Sequence, residues 1–485
     1  MRARSAVVIG GSMAGLCAAR ALSPHFEHVT VVDRDVFPEG AQHRKGVPQS
    51  RHPHALLDAG RRELERLFPG FEARCLARGG LELNPGLDMA TLRQTSWSER
   101  RRSPFTLLFA SRVLMESVLR DLAQEALSNV EHLESTDVTG LLTSRAGGLR
   151  VTGVTVRARD TGERRDLEAD LVVDASGRAT RVPQWLGELG LPPIEMTVVD
   201  AQAGYSSRWY QAPPPADRPA DWWWKCLWIE PLVEAAERDP EQYFGVLFPI
   251  EGDRWIVTTA SWGGRELAKD PETFEHMIAN LRTPVLAEAI GKAEPISPVY
   301  YRRSMQNQWR HYERWRGELS GLIAIGDSVC GFNPVYGQGM SSASMCARTL
   351  ERCLDEADPR DPEFPKHFFR EQAVFLETPW MMATSRDRER ARIEGDEVGA
   401  ARRLELLGRK LAGLYMAQVA QAAPDDDPVR TALFEVINLT RAPRALFAPG
   451  IATRVLRARL TQLLRPSTRS LQSEIPDRPP GDTLG

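Results

Sequence analysis

The sequence predicts an α/β protein: a doubly wound nucleotide-binding fold of Rossmann type, with an antiparallel β-sheet inserted into it and a helical region after it. Three observations carry this. The chain opens with a βαβ pattern, an apolar strand over 7–9, a glycine turn and helix over 13–22, and a second strand over 28–32. Two later apolar runs, over 171–173 and 322–325, each lead into a turn that bears an aspartate. Between about 195 and 300 the texture changes to aromatic and β-branched runs separated by turn residues.

Taken in order, Val7, Val8 and Ile9 form a short, wholly apolar run, the texture of a strand buried on both faces of a parallel sheet. Arg2 and Arg4 ahead of this run imitate a secretion signal, but Gly10, Gly11 and Ser12 interrupt it, and a strand, turn and helix is the reading the rest of the chain requires. A further amphipathic helix is expected over 111–127. Strands are expected over 205–210, 244–248 and 254–259, the last two forming a hairpin through Glu251, Gly252 and Asp253. Trp222, Trp223, Trp224 and Trp228 cluster after the loop of Pro213, Pro214 and Pro215. Beyond 356 the chain reads as helical, ending in an amphipathic helix over 451–464 whose polar side carries Arg454, Arg457 and Arg459. That helix is expected to pack on the protein rather than lie on a membrane. Residues 467–485 are polar and proline-rich and are expected to be disordered. The domain reading is a nucleotide domain over 1–195, with 80–105 contributing to a substrate domain over 196–300, the nucleotide domain resuming over 301–355, a helical region over 356–466, and the tail.

Composition narrows the function classes. Of 485 residues 42% are apolar and 26% charged, and the net charge of -3 provides no field to recruit nucleic acid. No apolar run reaches the ~18 residues of a transmembrane helix. Cys17, Cys75, Cys226, Cys330, Cys346 and Cys353 form no CxxC pair or zinc-like cluster, so reduced thiols, a cytoplasmic setting and no metal site are expected.

The first chemistry-bearing motif is Gly10-Gly11-Ser12-Met13-Ala14-Gly15, a variant of GxGxxG. Gly10 permits the tight turn out of the strand, Gly15 lets the helix approach the sheet, and Ser12 is small enough to replace the usual middle glycine. A pyrophosphate is then held on the helix N-terminus, where free N–H groups and the dipole favour negative charge. Asp33 ends the second strand, where it can accept from ribose hydroxyls and disfavours a 2′-phosphate. These residues do not separate NAD from FAD. Two later motifs favour FAD. Gly326-Asp327 is followed by Pro334-Val335-Tyr336-Gly337-Gln338-Gly339-Met340, which opens a long helix: the aspartate suits a ribityl chain, and the glycines and helix N-terminus suit a flavin ring. Asp174-Ala175-Ser176-Gly177-Arg178 follows the third apolar strand.

With these motifs in this order, residues 5–355 resemble the flavoprotein monooxygenases of the p-hydroxybenzoate hydroxylase fold. The resemblance implies a Rossmann-type FAD-binding domain with an inserted antiparallel β-sheet substrate domain. Arg112 matches that family's flavin-contacting arginine. Ala175 departs from the family's Asp-Gly pair, so no NADPH-linked role is carried over to that turn. A closer similarity lies in Arg44-Lys45-Gly46-Val47-Pro48-Gln49-Ser50-Arg51-His52-Pro53-His54. It continues through Gly245 to Gly252, Gly326 to Ser328, and Phe332 to Ser342. In these segments the chain resembles the actinobacterial polyene epoxidases of polyether antibiotic biosynthesis. Arg34, Arg44, Lys45, Gly46, Val47 and Val138 complete the expected cofactor-binding set, with Asp174, Ala175 and Gly177. The resemblance implies insertion of one oxygen atom from dioxygen by way of a flavin C4a-hydroperoxide. The expected substrate is an apolar alkene, a polyketide or terpenoid intermediate. The flavin carries that chemistry, so no side chain is assigned as a catalytic acid or base. Trp224, Phe244, Val246, Phe248 and Pro249, with His54 from the loop, are expected to wall the substrate pocket.

Three rivals remain. Aromatic hydroxylation shares the fold. Halogenases carry a W-x-W-x-I-P strand, and isoprenoid-saturating reductases or dehydrogenases a Y-x-W-x-F-P strand followed by G-x-G. The matching run here, Phe244 to Pro249, has neither tryptophan and shares only the Phe-Pro ending. No second nucleotide fingerprint is visible, so the electrons come either from transiently bound NAD(P)H or from a separate flavin reductase.

Overall fold

Apolar strands without alternation must be covered on both faces, and the chain meets that demand with a five-stranded parallel sheet. Its order is Leu322–Ala324, Leu171–Asp174, Ala3–Ile9, Phe26–Val32, Val130–Leu133. The computed structural model describes residues 3–54, 56–93, 96–231, 243–303, 306–387, 392–394, 413–464 and 476–481. One face of the sheet buries Ala6, Val8, Val29, Val31 and Val173 with the helices Met13–Leu22, Arg112–Ala126 and Gly339–Glu356. The other face buries Val7, Ile9, Val32 and Val172 beneath the three-stranded meander Thr136–Ser144, Arg150–Ala158 and Arg164–Glu168. Because all five strands are parallel, their carboxyl ends share one edge, where such folds bind ligands.

The second sheet has seven strands. Gly204–Gln211, Arg254–Ser261, Phe244–Ile250 and Cys226–Ile229 form its antiparallel body, Met89–Leu92 joins in parallel beside Cys226–Ile229, and two short strands pair with Gly204–Gln211 at the other side. The expected hairpin is present, with Gly252 and Asp253 at positive φ in its turn. Its Glu251 accepts a hydrogen bond from Ser111 N (2.9 Å) and pairs with Arg254 (3.0 Å), which fixes the hairpin to the start of the helix Arg112–Ala126.

Period-two alternation gives this sheet two unlike faces. The inner face gathers Tyr205, Cys226, Phe244, Val246, Phe248 and Ala260 against Leu83, Leu107 and Phe109. The outer face gathers Tyr210, Trp224, Leu227, Leu247, Trp255 and Val257 beneath the helices Pro271–Ala279 and Val285–Gly291. The C-terminal helices Asp427–Ile437 and Pro449–Leu464 pack together, and Phe434 meets Phe105 edge-on at 6.0 Å. Of the tail expected to be disordered, residues 476–481 are placed, and they are hydrogen-bonded to the sheet domain. Residues 388–391, 395–412, 465–475 and 482–485 of the expected helical region and tail lie outside the described residues. All six cysteines are buried and unpaired. Among the described residues no helix is long and apolar enough to cross a membrane, and no cluster of metal-ligating side chains occurs.

Candidate cofactor and substrate site

The site begins at the carboxyl end of Ala3–Ile9. Gly10 takes φ +101°, and an added Cβ there would lie 2.7 Å from the Ala175 carbonyl oxygen. Gly15 is tighter still: a Cβ would stand 1.8 Å from the Gly10 carbonyl oxygen. The spacing of the motif is therefore a packing requirement between turn and helix. Ser12 occupies the N-cap position but makes no side-chain cap bond, which leaves the first-turn N–H groups of Met13, Ala14 and Gly15 for another acceptor.

Instead of capping, the Ser12 hydroxyl donates to Glu116 Oε2 (2.9 Å) and accepts from Arg112 Nη2 (2.9 Å). Around this contact the fold gathers a buried ionic cluster. Glu116 pairs with Arg112 (2.8 Å), Arg44 (2.9 Å) and Arg120 (3.5 Å), and Arg44 pairs also with Asp33 (3.2 Å) and Asp35 (3.0 Å). Burial works to raise the Glu116 carboxyl, but Arg112 and Arg44 outweigh it and hold the group below the usual range. For Asp33 burial prevails and raises it, against Arg44 and the amides of Asp35 and Gly11. Gly11 N donates to Asp33 Oδ2 (2.7 Å), joining the glycine turn to the acid. Sequence reasoning named Asp33, Arg44 and Arg112 but missed Glu116, Asp35 and Arg120, since a charged residue on an ordinary helix or loop carries no local signal.

The other predicted residues divide. Gly46 N donates to Asp35 (2.6 Å), which shapes the loop, and Val47 is buried. Lys45 and Arg34 are exposed, and Val138 packs into the cluster under the meander. Asp174 is fully buried with both oxygens engaged. Oδ1 accepts from Ser176 N (3.0 Å), Ser176 Oγ (2.5 Å) and Ser328 Oγ (3.2 Å), and Oδ2 from Thr180 Oγ1 (2.5 Å). It braces the turn after its strand to the turn after Leu322–Ala324, a different task from the ligand role expected of it. Ala175 touches Gly10, and Gly177 N donates to Ser328 Oγ (2.9 Å). Gly326, at φ +64°, lies so near Ala14 that a Cβ would come within 2.9 Å of it. Through these contacts the three strand-end turns form one surface.

Asp327 is partly exposed on that surface and faces Arg178 Nε (3.4 Å). The segment Asn333 to Gly337 carries a 3-10 turn that ends at Gly337 with φ +66°, and Gln338, Gly339 and Met340 follow at the head of the long helix. This segment is anchored from behind by Asp387, 1% exposed, which accepts from Asn307 Nδ2 (2.8 Å), Asn333 Nδ2 (3.0 Å) and Tyr336 Oη (2.7 Å). Sequence reasoning did not find Asp387 either.

On the substrate side the register separates the expected residues. Phe244, Val246 and Phe248 share the inner face with Trp228 and Tyr205. Pro249 stands at the opposite parity, opposite Trp255, and Trp224 packs with Trp222 at 4.9 Å on the outer face. Neither can wall an inner pocket. His54 Nδ1 donates to the His52 carbonyl (2.9 Å), and the ring lies near enough to Arg112 that this charge, after burial, helps push it down to about 4. It belongs with the cofactor-facing loop. His52 bonds Ser207 Oγ (2.8 Å), meets Tyr205 edge-on at 4.4 Å, and is pushed down to about 3 by burial, then by His54, Arg302 and Arg51. Both rings are neutral at pH 7, so neither serves as an imidazolium acid there. A groove of about 660 Å³ runs from Asp35 and Arg44 past His52 to Tyr300 and Arg302.

The residues fit a flavin dinucleotide. Arg44 Nη2 and Arg112 Nη1 are buried with no hydrogen-bond partner among the described residues, as is Gln338 Oε1. A buried donor without an acceptor costs about 1–3 kcal/mol, so two guanidinium N–H groups beside a helix N-terminus make a site for phosphate oxygens.

The family comparison gives the cofactor class. A family model for FAD dependent oxidoreductases matches residues 6–183. Protein Rv3254 of Mycobacterium tuberculosis is 35% identical over 361 residues, which cover 72% of each chain. Among solved structures the chain resembles the flavin-dependent brominase Bmp2 (TM-score 0.62, 14% identity, covering 95% of this chain and 99% of that one). It also resembles PqsL, a probable FAD-dependent monooxygenase from Pseudomonas aeruginosa (TM-score 0.54, 18% identity, 80% and 98%). A flavoprotein/dehydrogenase from Cytophaga hutchinsonii is a third (TM-score 0.61, 15% identity, 95% and 99%). At these identities the structural likenesses speak to the fold alone.

Proposed function

Because the chain belongs to the FAD-dependent oxidoreductase family, we propose that it is a monooxygenase that transfers one atom of dioxygen to a large apolar alkene, a polyketide or terpenoid intermediate, in an epoxidation. The observation that carries this reading is the inner face of the sheet domain. Phe109, Tyr205, Trp228, Phe244, Val246 and Phe248 form one aromatic and aliphatic wall, and Val335 of the proposed flavin-bearing segment packs against it. A wall of this composition selects a ligand by shape and apolar area.

FAD, when bound and reduced, supplies the activation of dioxygen. The Arg44 and Arg112 guanidiniums and the first-turn N–H groups of Met13 to Gly15 would hold its pyrophosphate, Asp33 a ribose, and Asp327 the ribityl chain. Asp387 holds Asn333 and Tyr336, and with them the turn that would carry the ring. Phe244, Phe248 and Trp228 exclude water and orient the alkene. The neutral His52 and His54 fit a reaction that asks for no side-chain acid. Reducing equivalents come from NAD(P)H or from a separate flavin reductase, and NAD(P)H oxidation by the isolated chain distinguishes the two.

One observation favours a second reading, hydroxylation of a phenol. The Tyr205 hydroxyl is buried on the inner face without a partner among the described residues, and it suits a substrate with one polar end. The test supplies reduced FAD, 18O-labelled dioxygen and a panel of polyenes and phenols. A product heavier by one labelled oxygen at a former double bond supports epoxidation. Turnover of phenols alone supports the second reading, and a change of two hydrogens without oxygen overturns both in favour of a reductase or dehydrogenase.

A further inference from the structure

The outer face of the sheet domain has no part in the chemistry above, yet it carries a constructed contact with the end of the chain. Trp97, 6% exposed, donates from Nε1 to the Pro476 carbonyl (2.8 Å). Trp223 donates from Nε1 to the Pro480 carbonyl (2.9 Å), while Arg100 covers its ring at 4.7 Å. Between them Thr283 Oγ1 donates to the Asp477 carbonyl. Arg478 extends to Asp221 (2.8 Å) and reaches both oxygens of Glu288 (3.0 and 3.1 Å).

Three consecutive features of this contact point to recognition. The three neutral hydrogen bonds named are donated by the sheet domain and accepted by backbone carbonyls, the groups that a proline-rich strand leaves free because it lacks the N–H groups to form a ladder. Two of the donors are indoles, the side chains that proline-binding grooves use. The segment's cationic side chain, Arg478, is met by two carboxylates, Asp221 and Glu288, that give the contact direction. Exposed ion pairs of this kind contribute little energy, so the indole bonds and ring contacts carry affinity, and Arg478 sets register.

We propose that this face is a recognition site for an extended, arginine-bearing polyproline segment, and that its ligand is this chain's own residues 476–481. The eleven residues between Leu464 and Pro476 reach at most about 40 Å when extended. Because the segment belongs to the same chain, a free peptide must exceed its effective concentration to compete. The site is independent of any flavin chemistry.

The test uses the full chain and a fluorescein-labelled peptide with the sequence of residues 474–481, followed by anisotropy. In the variant Arg478→Glu/Pro480→Asp the resident segment is displaced, and peptide binding is expected to be at least about tenfold tighter than to the native chain, as effective concentration implies. Adding Trp97→Phe, which keeps an aromatic ring and removes the N–H, is expected to weaken that binding about five- to tenfold, the loss of one hydrogen bond of some 1–1.4 kcal/mol. Circular dichroism of Trp97→Phe alone confirms its fold. Equal peptide affinity for the native chain and the displaced variant overturns the proposal. So does unchanged affinity on removing the indole N–H. A native chain that is a dimer, and whose mass halves in the displaced variant, assigns the occupant to a second copy and overturns the assignment to the chain's own tail.

Discussion

Replacing His52 with asparagine isolates the effect of burying an imidazole between the two domains. The ring is 5% exposed, with Ser207 on Nδ1, Tyr205 on its edge, and His54, Arg302 and Arg51 supplying positive charge. Together these push it down to about 3, whereas in the unfolded chain it titrates near 6.5. Between these two values the unfolded chain binds a proton that the folded one refuses. Stability is therefore fully present above 6.5 and is lost as pH falls from there toward 3. At pH 5 the loss from this one residue is about 2 kcal/mol, from roughly 1.4 kcal/mol per pH unit over about 1.5 units. Asparagine keeps a polar atom near the position of Nδ1 but does not titrate. Urea unfolding at pH 8 and pH 5 measures the drop for both proteins. The native chain is expected to lose about 2 kcal/mol more than His52→Asn on acidification, whatever the absolute stabilities. Equal losses would refute the reasoning, because the ring would then titrate alike in both states.

Two further substitutions test the cofactor surface. Gly15→Val places a side chain where even a Cβ would stand 1.8 Å from the Gly10 carbonyl, so the purified variant is expected to retain no FAD by absorbance; a yellow variant would show that the turn does not hold the dinucleotide. Asp387→Ala removes the carboxylate that accepts from the Asn307 and Asn333 amides and the Tyr336 hydroxyl. The expected loss is about 2–4 kcal/mol in urea unfolding, typical of breaking a buried polar network, and a loss under 1 kcal/mol would show that the carboxylate does not hold the loop.

What the sequence revealed follows the range over which each signal acts. Gly10, Gly15 and Asp33 were legible because turn, helix and acid lie within one βαβ unit, and their spacing is a steric consequence of that unit. Glu116 was not. Its meaning comes from Ser12 and Arg44 converging on it from separate elements, where they meet Arg112 and Arg120, one turn to either side along its own helix. Pro249 and Trp224 were placed in the pocket on residue type alone. Strand parity already argues against Pro249, since it alternates with Phe244, Val246 and Phe248. Asp174 was recognised as special, but its fully engaged oxygens make it a brace between turns. The tail was read as disordered from composition, which cannot register indole donors contributed by residues nearly 380 and 260 positions away, at Trp97 and Trp223.

The ionic cluster behind the glycine turn has a consequence for assembly. Arg44, Arg112 and Arg120 are matched in number by Asp33, Asp35 and Glu116, all at contact distance within one buried patch. Three arginines gathered to meet a diphosphate would repel one another before it came, and such a pocket would depend on its ligand to close. Here the opposing carboxylates hold the guanidiniums in place beforehand, with Glu116 as the common anchor, while one N–H on each of Arg44 and Arg112 stays unspent. Folding therefore does not need the dinucleotide to neutralise these three arginines.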